Sequence, residues 1–335
     1  MVEKIAIRKK RSINIPNSRE LGLLGFIIIL SILIQIRNPR FLTVENINDL
    51  LKNTAILSIL AVGMMLVIVT RGIDLSIGAT LALSGMITAL TVSTYPNIHP
   101  LFALLLGTII GMICGSVVGL LISKANILPI IASLGMMNVY RGLTYMVSGG
   151  RWVSADQMPA SFKNIATSSI FGINTLVFIA IIIYLVFYYF ISYTRTGRQI
   201  YAVGSNPDAA KISGIKISKI LLMVYIIMGA LAGLTGVLWV SKFASAQGDT
   251  ATGYELTVIA ACVLGGVNIA GGAGKISGVI LGSLLLGILN NALPMINVSP
   301  FWQQAIQGII ILAAVIVNVL VTKRIELRNL IRRDI

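Results

Sequence analysis

Residues 101–123 read LFALLLGTIIGMICGSVVGLLIS, twenty-three residues with no acidic or basic side chain. A helix of that length spans a bilayer core, which takes roughly 20 apolar residues. Within it Gly107, Gly111, Gly115 and Gly119 recur at every fourth position. On a helix they form one smooth stripe, against which a second backbone can pack closely. Packing inside one protomer is the plainer reading of that stripe, and an intersubunit contact is the other. Gly229 with Gly233, and Gly274 with Gly278 and Gly282, repeat the device.

The rest of the chain matches this segment. Of 335 residues 56% are hydrophobic and 11% charged, with a mean hydropathy of +0.93. Soluble domains carry about 25% charged residues, so a soluble globular enzyme, a disordered chain and a fibrous one are all excluded. The expected fold is all-α and polytopic. Apolar runs fall at 21–36, 54–70, 75–94, 101–123, 126–140, 171–193, 220–240, 257–273, 276–298 and 301–322, ten in all. The first reads as a retained span rather than a cleaved leader, because Arg37-Asn38-Pro39 follows it in place of a small-residue cleavage site. The runs 126–140 and 257–273 are short, which leaves a bent or partly re-entrant path open there.

Sidedness follows from basic residues. With the N-terminus inside and strict alternation, 19 of the 26 Lys and Arg fall inside and 7 outside, while the acids divide almost evenly. That is the positive-inside signature, and it places both termini in the cytoplasm. The net charge of +15 is thereby explained without a nucleic-acid partner. Residues 1–20 form a basic cytoplasmic segment, 21–322 the membrane domain, and 323–335 a basic tail. Trp152, Trp239 and Trp302 all fall at the outer boundary, as an interfacial belt requires.

Several chemistries lack their residues. The nearest approach to a phosphate-binding loop is Gly271-Gly272-Ala273-Gly274-Lys275-Ile276, with Ile276 where a hydroxyl is needed and Ile269 where the first glycine belongs. The chain is therefore not expected to hydrolyse ATP. A lone histidine, His99, and two cysteines in apolar runs, Cys114 and Cys262, leave no catalytic, metal or cofactor site to expect. No ionisable residue is expected at mid-span; Arg71, Asp74 and Lys275 fall at span ends. That argues against a proton relay. An ion-coupled secondary transporter of a small polar solute, using backbone carbonyls, stays open as the alternative.

Three groups of residues stand out. Gly72, Asp74, Ser76 and Gly78 lie in Arg71-Gly72-Ile73-Asp74-Leu75-Ser76-Ile77-Gly78, between two spans. A helix cap with tight turns is the plain reading, and a transport role the other. The segment 194–219 holds Gly197, Arg198, Gly204, Asn206, Asp208, Ala209, Ala210 and Gly214. It suggests a short amphipathic helix, capped by Ser205 or Asn206, opened by Pro207 and ended by Gly214. Such a helix either docks on a partner or lies on the membrane surface. Uncharged polar residues in the outer halves of spans form the third group: Asn138, Tyr140, Asn290 and Asn291. They suit either the hydroxyls of a polyol or hydrogen bonds between helices. Arg141, Arg151, Asp156, Lys242, Asp249 and Glu255 are expected in outer loops.

The Arg71–Gly78 string resembles the R-x-I-D-L-S-V-G motif of permease subunits of ribose/xylose/autoinducer-2 type ABC importers. Gly197–Ile215, Ile259–Gly266 with Gly271-Gly272, and Gly287–Asn291 are similar to further motifs of that family. The resemblance covers roughly residues 45–320. It implies a permease of ten helices with an inverted pseudo-repeat, in a bacterial inner membrane. It implies docking on ABC ATPase subunits, delivery of substrate by an extracytoplasmic sugar-binding protein, and a second permease copy or a similar permease as dimer partner. It also implies that segment 194–219 couples to the ATPase, so that Gly204→Leu or Asp208→Lys would uncouple transport. Among substrates, Gly149-Gly150-Arg151-Trp152 leans toward the rhamnose or autoinducer-2 branch.

Overall fold

Residues 100–123 form a single helix, Pro100–Ser123, whose first turn holds the proline and whose glycines face a neighbour. The computed structural model describes residues 18–310, together with 312, 313 and 316. In chain order the helices are α1 (Ser18–Arg37), α2 (Val44–Val69), α3 (Ile77–Thr94), α4 (Pro100–Ser123), α5 (Pro129–Ser148), α6 (Ala160–Thr167), α7 (Thr175–Tyr193), α8 (Arg195–Ser205), α9 (Pro207–Ile212), α10 (Ile217–Phe243), α11 (Tyr254–Leu264) and α12 (Ile276–Met295). Between α6 and α7 a two-stranded hairpin pairs Ser169 with Asn174. The proposed tail 323–335 and most of segment 1–20 lie outside the described residues.

The bundle is built on α2 and α10. The inner two-thirds of α2 is buried on every face, a pattern that a helix reaches only when surrounded by other helices. Helices α3 and α4 pack on α10, with α5 against α3, while α11 and α12 pack on α2, with α1 against α12. The glycine stripe of α4 meets α10 within the chain. A Cβ at Gly111 would overlap the carbonyl oxygen of Gly229, and one at Gly233 the carbonyl oxygen of Gly107. Only hydrogen at these positions lets the two antiparallel backbones touch. Gly278 and Gly282 do the same against Gly265 and Ala261 at the end of α11.

Seven described helices are long and apolar enough to cross a membrane: α1 from Glu20, α2, α3, α4, α7, α10 and α12. The other three expected runs differ instructively. The run 126–140 continues as α5 to Ser148, a 20-residue helix made less apolar by Asn138 and Arg141. The run 257–273 is an 11-residue helix, α11, followed by a glycine-rich loop. The last run is helical over 301–310 and then leaves the described residues.

The bundle has two distinct ends. Helices α8 and α9 sit at one, beside the ends of α2 and of the 265–275 loop. At the other end Asn38 donates to the Met295 carbonyl (2.8 Å), and Asn46 pairs with Asn291. The link 244–253 between α10 and α11 turns back into the bundle. Arg141 on α5 donates to the carbonyls of Gly248 and Thr250 at 2.8 and 2.7 Å. Ala251 O and the Glu255 carboxylate close on Gly78 at the start of α3. Arg141 is thus a half-buried strut inside the bundle rather than an outer-loop charge.

Candidate functional site

Two places bring polar chemistry together, one at each end of the bundle. At the end away from α8, a cavity of 230 Å³ opens between α2, α10, α11 and α12. Asn53 stands at its α2 wall, Asn290 and Asn291 on α12, and Trp239, Lys242 and Phe243 on the last turns of α10, with Tyr254 opening α11. Trp239 packs against Phe243 and Tyr254 with ring centroids 5.0 and 5.2 Å apart. It therefore also forms part of the cavity wall. Trp152, in contrast, is exposed.

The polar groups of the cavity are partly committed. Lys242 donates to the Asn53 amide oxygen, and its ammonium lies 4.9 Å from the Phe243 ring centroid. Asn291 exchanges hydrogen bonds with Asn46 at 2.9 and 3.0 Å, so helix–helix bonding holds its amide. Asn290 accepts from Gln307 at 2.7 Å. Its amide NH₂ is available to a ligand. Aromatic faces beside amides and one cation suit a small hydroxylated molecule: apolar C–H faces meet rings while hydroxyls meet amides. No carboxylate lines the cavity.

Asn138 and Tyr140 are not brought here. The Asn138 amide, on the exposed face of α5, donates to its own helix at Leu134 O, 3.1 Å away. Tyr140 is buried, and its hydroxyl donates to Cys114 O at 2.7 Å, pinning α5 to α4. Both read as structural hydrogen bonds. Sequence reading missed Asn53, Trp239, Lys242 and Tyr254. The signal for two of them was present, since Trp239 and Lys242 stand three apart on one helix face.

At the opposite end lies the 194–219 segment. It holds two helices rather than one. α8 is opened by Thr194, whose hydroxyl accepts from Gly197 N at 3.0 Å. α9 is opened by Asn206, which accepts from Ala209 N at 3.0 Å, with Pro207 in the first turn and Gly214 at φ 79° beyond its end. One face of this pair is buried: Gly197, Ile200, Val203, Gly204 and Ala210. The other is open, with Arg198, Asp208 and Ala209 exposed and Ile212 88% exposed.

The pair is fastened to the bundle. Arg71, at φ 65° just past α2, donates Nε to Gly204 O (2.6 Å) and Nη2 to Ser205 O (2.7 Å). These are the closing carbonyls of α8, where a cation is favoured. Tyr201 donates to Gly274 O at 2.6 Å, and Gly272 N donates to Val69 O at 2.9 Å. Burial pushes the Tyr201 hydroxyl pKa up, so it stays a donor. A Cβ on Gly204 would overlap Val69 O. The expected effect of Gly204→Leu needs correcting accordingly: it would expel α8 from the bundle rather than only uncouple it.

The Arg71–Gly78 string also departs from expectation. Ser76 precedes α3 but makes no side-chain cap. Asp74 instead accepts from Ser76 N at 2.8 Å and Ser76 Oγ at 2.6 Å, folding the linker on itself. Its side chain is buried, with the residue 2% exposed. Gly72 leaves room for the Tyr225 ring hydroxyl, and Gly78 for Ala251 O.

Residues 46–315 match the family described as branched-chain amino acid transport system / permease component. The ribose import permease protein RbsC of Escherichia coli K12 is 38% identical over 294 residues, covering 87% of this chain and 91% of the relative. RbsC of Bacillus subtilis 168 is 39% identical over 298 residues, with 89% and 91% covered. The L-arabinose transport system permease protein AraH of E. coli K12 is 33% identical over 295 residues, with 88% and 89% covered. No solved structure matches the chain.

Proposed function

The chain belongs to the family of branched-chain amino acid transport system / permease components, and from that premise we propose how it moves its substrate. It is the multi-pass permease subunit of an ATP-driven sugar importer in a bacterial inner membrane, and the ATPase is a separate subunit. The substrate of our reading is a neutral monosaccharide related to those named for the relatives, ribose and L-arabinose. The 230 Å³ cavity carries that reading. Its amides and rings suit hydroxyls and C–H faces, and an amino acid would find no carboxylate there for its ammonium. Gly149–Trp152, which leaned toward rhamnose or autoinducer-2, lines no part of it.

The α8–α9 end faces the cytoplasm in this account, as the positive-inside bias favours. The cavity then faces the binding protein that delivers sugar. The exposed tip of α9 docks on the ATPase, and Arg71, Tyr201 and the Gly271-Gly272 turn pass its displacement to α2 and to the loop beneath α11. Each permease pairs with a second copy, so that two ATPase subunits act on two tips.

The test is co-purification from native membranes in mild detergent. Wild-type chain is expected to bring an ATPase subunit at near-equal stoichiometry. Asp208→Lys is expected to insert and melt normally yet lose most of that subunit. Equal recovery in both would remove α9 from the docking role.

A further inference from the structure

A second cavity, of 490 Å³, lies at the α8–α9 end, where α4 finishes, the turn into α5 begins and α9 passes to α10. It plays no part in the transport cycle proposed above. Its wall is apolar, made by Ile122, Ile215, Ile217 and Leu221, and Lys211 and Lys216 stand beside that wall. No acidic side chain lines it, and neither lysine forms an ion pair among the described residues. Ser123 also lines it; this residue is only 8% exposed, and its buried hydroxyl has no hydrogen-bond partner. The 27-residue helix α10 starts here, and the side chain of Lys216 does not cap it. The N–H groups of Ile217 and Ser218 therefore have no intrahelical acceptor. Asn126 adds an amide.

Two cations, an orphaned buried hydroxyl and an open helix N-terminus make a receptor for a tetrahedral anion. The apolar wall is superfluous for a free anion but not for an amphiphile. From the cavity, α4 continues into the membrane with Ile113, Val117 and Leu120 exposed. We propose that the phosphate of an acidic phospholipid from the cytoplasmic leaflet binds this cavity, with its acyl chains along α4, and so tethers the junction between α9 and α10. The inference rests on the α8–α9 end being cytoplasmic. Ser123 and Ile122 close a spanning helix, at the depth of headgroups, whereas the exposed tip of α9 is what an ATPase would meet.

Native mass spectrometry of the full-length chain, with phosphatidylglycerol or phosphatidylcholine added, tests this. Phosphatidylglycerol is expected to be retained selectively. The double variant Lys211→Ala/Lys216→Ala should weaken it by about tenfold or more, since each lysine near a membrane contributes roughly one kcal/mol. Ser123→Ala should lose part of the lipid-dependent rise in melting temperature without melting lower on its own. Arg195→Ala/Arg198→Ala, which removes equal charge elsewhere, should change retention less than about twofold. Equal loss in both double variants would reduce the effect to diffuse charge and overturn the site. Saturation by inorganic phosphate in place of lipid would overturn the lipid assignment, as would loss of retention on adding the ATPase. Orientation is read separately, by labelling Ile212→Cys in intact cells with a membrane-impermeant maleimide; labelling from outside would overturn the cytoplasmic placement whatever the lipid result.

Discussion

Arg71 joins three parts of the protein with one side chain. It follows α2, closes α8 through two carbonyls and lies against Gly271. Charge-assisted hydrogen bonds of this kind contribute about 1.5–3 kcal/mol each. Arg71→Ala should therefore lower ATP-driven uptake severalfold while leaving insertion and ATPase recovery intact, which transport and pull-down assays on the same preparation would show. Arg71→Lys should rescue little, because one ammonium cannot reproduce a two-pronged guanidinium. In the outer cavity, Asn290→Ala and Trp239→Ala should each reduce uptake by about tenfold, the cost of one lost hydrogen bond or ring face. Asp74→Asn separates the two readings of that residue. If the carboxyl only holds the turn to Ser76, asparagine accepts the same bonds and uptake should stay within about threefold of wild type. At this scale the sequence was half legible. Asn290 and Asn291 stood out as polar residues in an apolar run, whereas Asn53, Lys242 and Tyr254 meet them only through packing between distant helices.

The contact between α4 and α10 is the element that the sequence spelled most clearly. Four glycines at a spacing of four foretold a close helix crossing, and the partner stripe at Gly229 and Gly233 is where they meet it. Gly111→Ala places a methyl into the Gly229 carbonyl. Such overpacking should destabilise by about 1–3 kcal/mol. Gly229→Ala strains the same contact, so the double variant should cost less than the two singles combined, as thermal melting in detergent would show. α8 was not legible as a helix. Its buried face depends on Val69 and Gly272, far away in sequence. Nor was the inward path of 244–253 legible, because carbonyls within the bundle satisfy Arg141, which sequence reading placed in a loop.

Across the whole molecule, hydropathy and charge bias gave the class of fold, while depth stayed hidden. The absence of mid-span charges argued against a proton relay, yet Asp74, Arg141 and Lys242 all lie partly or wholly inside the bundle. What decides for an ATP-driven importer is family membership. The measurement that bears most directly on this is uptake of labelled ribose into proteoliposomes. They would contain the chain with its ATPase subunit, with binding protein outside. Uptake is predicted to require ATP on the α8–α9 side and to persist when ion gradients are collapsed. Uptake by the chain alone, driven by a sodium or proton gradient without ATP, would contradict the account.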